Sequence, residues 1–517
     1  MKVLSAVVVL SALIIGSFGV RSNVHLLDDD KATVLDGCPK GSAFYQANMA
    51  GVDQPWPHYW EECVGSGHAL LALRSDYRYQ LKLAHDYLGF KRVRFHGLFD
   101  DDMSVYQNIN GQKQYSWYNV DSIFDYFLSI GMQPLIELSF MPENMASGTA
   151  VIFHYKGNIT PPSNWNDWFD LLVNFAQHLI ERYGIDEVRS WYFETWNEPN
   201  CGFWSGNQTE YFKLLEVSSA ALKSVDPQLR VGGPATCQTA WLNETLQYCS
   251  EHDVAIDFIS THLYPTDFQP LQRDIMYQVV SGARETVGND MPLFYTEYND
   301  GLFAYQLHDT SYASAFAVYN LIELQGIPDI FSWWCFSDIF EEGGFNSSVF
   351  QQPGYGLMTI YNIPKPAWRA FEFLHQAGDR FLSMIVEEDH PTAGLIVTRN
   401  DTHVTTLLYN HNIPDAPIDT VTMCVSFKGV QNPSLYTSAI LRRIDDTHCN
   451  PRAAWDAMGQ PMYPTKTQLD QLHAAASVEW ESLPLVPTGS DEFIFTLDVP
   501  PQGVASVVFP IQKSTDF

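Results

Sequence analysis

The sequence predicts an α/β chain, a (β/α)8 TIM barrel with a C-terminal β-sandwich domain, on three observations. Short apolar runs alternate with amphipathic segments from about His68 to Cys335, as strands and covering helices do in a barrel. After Lys365-Pro366 the pattern changes to short alternating segments bounded by Pro, Asp, Asn and Gly, the signature of a sandwich. No Gly-x-Gly-x-x-Gly follows a first strand, which argues against a doubly wound sheet.

Taken in order, Lys2 precedes the apolar run Val3 to Ile15, and Ser17-Phe18-Gly19 supplies small residues before a cut. Residues 1–22 are therefore expected to be a cleaved signal peptide, the run being short for a membrane span. No other stretch is apolar enough to cross a bilayer. The barrel is expected over 51–378. Its strands are Lys91–Phe95, Gln133–Leu138, Ser190–Thr195, Arg230–Gly232, Ile256–Thr261, Leu293–Thr296 and Ile330–Cys335, with an earlier one near His68–Leu73 completing eight. Amphipathic helices are expected at Trp165–Tyr183, Thr209–Val225 and Tyr312–Gln325. The sandwich, over 379–517, takes strands at Gly394–Thr398, Val404–Tyr409, Val421–Phe427, Phe493–Leu497 and Ala505–Phe509.

Composition limits the partners. With 517 residues, 46% hydrophobic, the chain can bury a large core, and a formal charge of −31 disfavours nucleic acid and anionic membranes. Five sequons, at Asn158, Asn207, Asn243, Asn346 and Asn400, agree with a secretory route, secreted or lysosomal. In that oxidising setting some of the eight cysteines should pair. Short separations suggest Cys38 with Cys63, Cys237 with Cys249 and Cys424 with Cys449, one choice among many. Cys335, inside an apolar run, is expected to be buried and free, while Cys201 has no evident partner. No C-x-x-C spacing points to a metal, and no cofactor is expected.

Two acids carry the chemistry. Glu198 follows the run Trp191 to Trp196, and Glu297 follows Leu293 to Thr296, so each sits where a buried barrel strand delivers a side chain to its C-terminal mouth. A lone Glu at a strand end is usually only a solvated charge. Two facing one pocket are what glycosidic cleavage needs: one protonates the leaving oxygen while the other stays ionised against the sugar carbon.

Asn197-Glu198-Pro199, paired with Thr296-Glu297-Tyr298, resembles the retaining glycoside hydrolases built on (β/α)8 barrels. Arg94 to Phe99 with Asp101-Asp102, Glu137 to Pro142, Phe336 to Glu342, Ile363 to Pro366 and Arg443 to His448 narrow the likeness to glycoside hydrolase family 39, its β-xylosidase branch. The resemblance implies Glu198 as acid/base and Glu297 as nucleophile, their carboxyls about 5 to 5.5 Å apart. It implies Asn197 on the sugar 2-hydroxyl, and His262 and Tyr264 after the sixth strand, with Tyr264 bonded to the nucleophile. His96 and the pair Glu341 and Glu342 would bind sugar hydroxyls, Trp334 would lie under the ring, and Phe140, Phe203 and Trp204 would narrow the mouth. It also implies that segment 23–50 joins the sandwich through a strand near Asn23 to Val34.

The expected activity is that of a retaining exo-β-xylosidase acting on β-1,4-xylo-oligosaccharides, with a glycoside as partner and the oligomeric state open. The α-L-iduronidase branch of the family is the competitor, but its carboxylate-bearing substrate calls for cations, and the loops after the catalytic strands hold little Lys or Arg. A carbohydrate-binding pseudoenzyme could dispense with either carboxylate, and both are present.

Overall fold

A computed structural model describes residues 24–26, 37–267, 272–302, 305–340, 342, 348–350, 354–386 and 390–511. The expected signal peptide, Glu341 and the sequon at Asn346 lie outside them.

Eight parallel strands close into a barrel: β1 (Val64–His68), β2 (Arg92–His96), β3 (Gln133–Leu138), β4 (Tyr192–Thr195), β5 (Arg230–Thr236), β6 (Phe258–Leu263), β7 (Leu293–Tyr298) and β8 (Ile330–Trp333). Each strand pairs with the next in sequence and β8 returns to β1. Every residue of β6 and β7 is buried, because parallel barrel strands are covered on both faces. The outer helix Trp165–Tyr183 is capped by Asn164, whose side chain accepts from the Asn166 amide. It buries Trp168, Leu171, Leu172, Phe175, Ala176 and Leu179, the i, i+3, i+4 stripe of a helix laid on a core. Helix Gln208–Val225 starts on a reciprocal capping box between Asn207 and Glu210.

The first strand departs from expectation. The run Ala69–Leu73 forms a 3-10 helix, and the strand lies before it in the glycine-rich Val64–His68. Glycine is needed there for close approach: a Cβ on Gly65 would stand 2.4 Å from the Trp334 ring, and one on Gly67 2.5 Å from the Phe340 carbonyl oxygen.

Two packed sheets form the sandwich. The first runs Val24–Leu26, Met384–Val386, Ala43–Asn48, Val421–Lys428, Glu492–Val499 and Val486–Pro487. The second runs Glu481–Pro484, Ser438–Ile444, Gly503–Pro510, His403–Asn410, Ala393–Arg399, Arg380–Phe381 and Gln54–Pro55. Alternate residues such as Val425, Phe427, Phe493, Leu408, Val507 and Phe509 fill the space between them. Residues on the N-terminal side of the barrel thus supply strands to both sheets. Two helices within the C-terminal part, Pro451–Ala457 and Lys466–Ala475, were not evident in the sequence; Trp455 and Leu472 pack there with Val349, Phe350 and Ile363.

The cysteine pairing suggested by short separations is overturned. Cys38 bonds Cys424 and Cys201 bonds Cys237, whereas Cys63, Cys249, Cys335 and Cys449 are free and buried. Strand Ala43–Asn48 pairs with Val421–Lys428, so Cys38 reaches Cys424 across 386 residues; folded proximity, not sequence distance, decides the partner. The Asn158 sequon is also closed to a glycan. Its amide donates to the Gly148 carbonyl, its oxygen accepts from Thr160, and the residue is buried.

Candidate active site

Glu198 and Glu297 meet at the C-terminal mouth of the barrel. Glu198 lies three residues past β4, on a turn in which Trp196 and Glu198 both take positive φ, 70° and 40°. Such backbone costs about 1–3 kcal/mol per residue and persists only where its surroundings hold it. Here the Glu198 amide donates to the Ala235 carbonyl at 2.8 Å, and the Trp196 indole N–H donates to the Phe203 carbonyl at 2.7 Å. The Trp196 ring is wedged among Phe140, Trp168 and Trp204. Cys201, unassigned from sequence, fixes the same turn: it pairs with Cys237, immediately after β5.

That tether gives a prediction. A bond closing a 36-residue loop stabilises by about 4 kcal/mol on the chain-entropy account. The double change Cys201→Ser with Cys237→Ser is therefore expected to lower the thermal midpoint and, by loosening the Glu198 turn, the hydrolysis rate. Melts and activity that match the parent would remove this role.

Glu297, in β7, is held by two donors. The Tyr264 hydroxyl donates to its Oε2 at 2.6 Å, and Arg94 Nη1 to its Oε1 at 2.6 Å. Arg94, in β2 and fully buried, also donates through Nε to Glu194 at 2.5 Å and through Nη2 to Asn197 Oδ1 at 2.9 Å, and pairs with Glu137 at 2.8 Å. Because the Asn197 oxygen accepts from Arg94, its amide nitrogen is left to donate. Thr296 and Ser139 donate to Glu194 and Glu137 respectively. One guanidinium fork thus sets the nucleophile candidate and its asparagine neighbour in a single web. His262 Nδ1 lies 2.9 Å from Glu198 Oε1 and 3.5 Å from Glu297 Oε2, and oxygens of the two carboxylates lie within 4.8 Å of each other.

Electrostatics separates the two acids. Burial, and then the charge of Glu297, hold the Glu198 carboxyl well above the usual range. Burial raises Glu297 as well, but Arg94, His96 and the Tyr264 hydrogen bond pull it back. Glu297 therefore ionises first while Glu198 keeps its proton. Tyr264 stays a neutral donor, since burial and the two acids push its hydroxyl well above its ordinary value. Burial, with the charges of Arg94 and His96, drives His262 well below its ordinary value, so it is neutral beside Glu198. His96 goes the other way: against the effect of burial, contacts with Glu137 at 2.8 Å and Glu342 at 3.3 Å push it up to about 10.

Aromatic rings surround His96. Trp334 stands 5.0 Å from it, Phe153 6.0 Å, and Phe140 and Phe203 each 6.3 Å, centre to centre. The structure thus gathers Glu198, Glu297, Asn197, His262, Tyr264, His96, Trp334, Phe140, Phe203 and Glu342 in one region, while Glu341 lies outside the described residues. Trp204 is buried against Trp196, on the turn that carries Glu198. Sequence reasoning also missed Arg94, Glu137 and Glu194 as a buried charge web, and Tyr155, which stacks on His68 at 3.7 Å. An acid or arginine in the middle of an apolar strand, as in Phe193-Glu194-Thr195, was the available signal.

The model of glycosyl hydrolases family 39 matches residues 47–490. A β-xylosidase of Caldicellulosiruptor saccharolyticus is 42% identical over 465 residues, covering 87% of this chain and 94% of its own. A β-xylosidase of Geobacillus stearothermophilus is 36% identical over 447 residues, 80% of this chain and 86% of its own. Among solved structures, a monomeric β-xylosidase from Caulobacter crescentus CB15 superposes with a TM-score of 0.82 at 29% identity, covering 91% of this chain and 100% of that one. With two buried carboxylates of divided protonation at the mouth of a closed barrel, and a family match over most of its length, this chain belongs to glycosyl hydrolase family 39 and is a glycoside hydrolase.

Proposed function

We propose that the enzyme is an exo-acting β-xylosidase that works by double displacement with retention. The observation carrying this is the pair itself: carboxylate oxygens within 4.8 Å suit a direct nucleophile, whereas inverting enzymes hold their carboxyls about 6.5–9.5 Å apart to admit a water. Glu297 attacks the anomeric carbon as Glu198 passes its proton to the leaving oxygen, giving a glycosyl ester on Glu297. Glu198, now ionised, takes a proton from water, which attacks the same carbon and returns Glu297 to its carboxylate. Asn197, positioned by Arg94, donates its amide hydrogen to the 2-hydroxyl, a contact that strengthens as charge develops on the ring. The sugar assignment is supported by the 42% and 36% identity to β-xylosidases of Caldicellulosiruptor saccharolyticus and Geobacillus stearothermophilus.

A neutral sugar fits the charges. Arg94 and His96, the cations beside the two carboxylates, are already bound to Glu137, Glu194, Glu297 and Glu342. Of residues 196–207, 299–310 and 334–365, which follow β4, β7 and β8, one is a Lys and none an Arg, and that Lys365 is already paired with Asp309 and Asp338, so it is not free to receive an iduronic carboxylate.

A pentopyranose lacks the C6 group, so a site walled by Phe140 and Trp334 can admit it where an added hydroxymethyl meets a ring. Overpacking there costs about 1–3 kcal/mol, roughly a ten- to hundredfold preference. Initial rates on a panel of aryl glycosides should therefore favour the β-xyloside over the β-glucoside by that factor. An aryl α-L-iduronide cleaved at least as efficiently would end the xylosidase reading.

A further inference from the structure

At the opposite end of the barrel, His58 and Glu61 precede β1 and His375 ends the helix Pro366–His375 that follows β8. Their side chains converge: Nδ1 of His58 lies 2.6 Å, and Nδ1 of His375 2.8 Å, from the same oxygen, Glu61 Oε1. Glu61 is only 6% exposed. The far nitrogen of His58, Nε2, faces the Gly378 carbonyl at 3.4 Å. A carbonyl can only accept, so that contact calls for a proton on Nε2. In a neutral imidazole the Nδ1 facing Glu61 then carries a lone pair, and two sets of lone pairs meet unless a second proton or a cation lies between them.

Gly89, the left-handed cap of the helix Ser75–Leu88, packs closely against these atoms. A Cβ on Gly89 would stand 2.3 Å from His375 Nδ1 and 2.8 Å from the Glu61 carboxyl carbon. The hydrolytic mechanism uses none of these residues.

We propose that His58, Glu61 and His375 bind a divalent first-row transition metal, with zinc the best match. Two imidazole nitrogens and a carboxylate oxygen are a zinc donor set, with a water completing four. Ligands around zinc stand about 3.3 Å apart, so each ring must retreat by roughly half an ångström. His375, 36% exposed at a helix end, can give more than His58, whose ring is 15% exposed and stacks on Trp60 at 4.7 Å. The Gly378 carbonyl then plays the part that a backbone acceptor commonly plays behind a metal-bound histidine, fixing which nitrogen binds. The ion joins the segment entering the first strand to the helix after the last, so binding favours the closed barrel.

The test uses the full chain, stripped with chelator and titrated with zinc chloride by calorimetry, with a thermal melt and aryl-xyloside hydrolysis on the same samples. One equivalent should bind, the melting midpoint should rise, and turnover should be unchanged. Glu61→Gln and His375→Gln should each weaken binding at least tenfold and abolish the thermal shift while still hydrolysing substrate, which shows that they fold. The Glu198, His262 and Glu297 cluster is a second place an ion could lodge, and zinc there would stop turnover. No saturable uptake, uptake undiminished in both variants, or uptake seen only with loss of turnover would overturn the proposal.

Discussion

Glu297→Gly is expected to abolish hydrolysis, with a loss on the order of 10⁴-fold or more, because it removes the carboxylate that forms the glycosyl ester. Glu198→Ala should behave differently. Substrates with poor leaving groups need the proton that Glu198 holds and should slow by about 10²–10⁴-fold, whereas activated aryl xylosides should form the intermediate almost normally. Added azide should then speed turnover of the trapped intermediate and yield a β-xylosyl azide. The pH profile carries the same assignment. Glu297 must be ionised, so activity falls as pH drops through its pKa, and Glu198 must be protonated, so activity falls as pH rises through its own elevated one. Glu198→Ala should erase the alkaline limb with an activated substrate. An NMR time course in which the first-formed sugar had inverted configuration would defeat the assignment of Glu297.

Arg94→Met should be nearly as damaging, although Arg94 is fully buried behind the two acids. It would leave Glu137, Glu194 and Glu297 buried without their shared cation, and breaking a buried pair typically costs about 3–5 kcal/mol. Arg94 lowers Glu297, so its loss raises that carboxyl and moves the acid limb of kcat/KM to higher pH. Asn197 also loses its orienting partner, and kcat/KM should fall about a hundredfold. Arg94→Lys restores charge without the planar fork and should recover only part. A folded Arg94→Met enzyme with an unmoved acid limb would show that Arg94 does not tune the nucleophile.

Much of this was legible in sequence because period and position report on burial. Gln133–Leu138 and Trp165–Tyr183 have the expected limits to the residue, since continuous apolar runs and an amphipathic stripe with a flanking Asn and Gly leave little choice. The first barrel strand is hidden in the sequence because Val64-Gly65-Ser66-Gly67-His68 has almost no strand propensity; its glycines answer to Trp334 and Phe340, residues far away in sequence. The same blindness hid Arg94. A charged residue in an apolar run reads as an interruption, and only three-dimensional packing shows that three carboxylates surround it. Cys201 could not be assigned while its partner's place, beyond the end of β5, was unknown.

The barrel sits in the sequence between strands of one sandwich: Ala43–Asn48 lies in a sheet beside Met384–Val386 and Val421–Lys428. A ribosome releases the early strand long before its neighbours exist, at roughly 5–20 residues per second, so the sandwich cannot assemble until the barrel sequence has emerged. The two parts are also inseparable as cassettes. A graft of residues 379–517 onto another barrel would arrive with a slot where Ala43–Asn48 belongs and without Cys38 to meet Cys424, leaving apolar strand edges open to other chains. A transferable sandwich has to carry both ends of the chain.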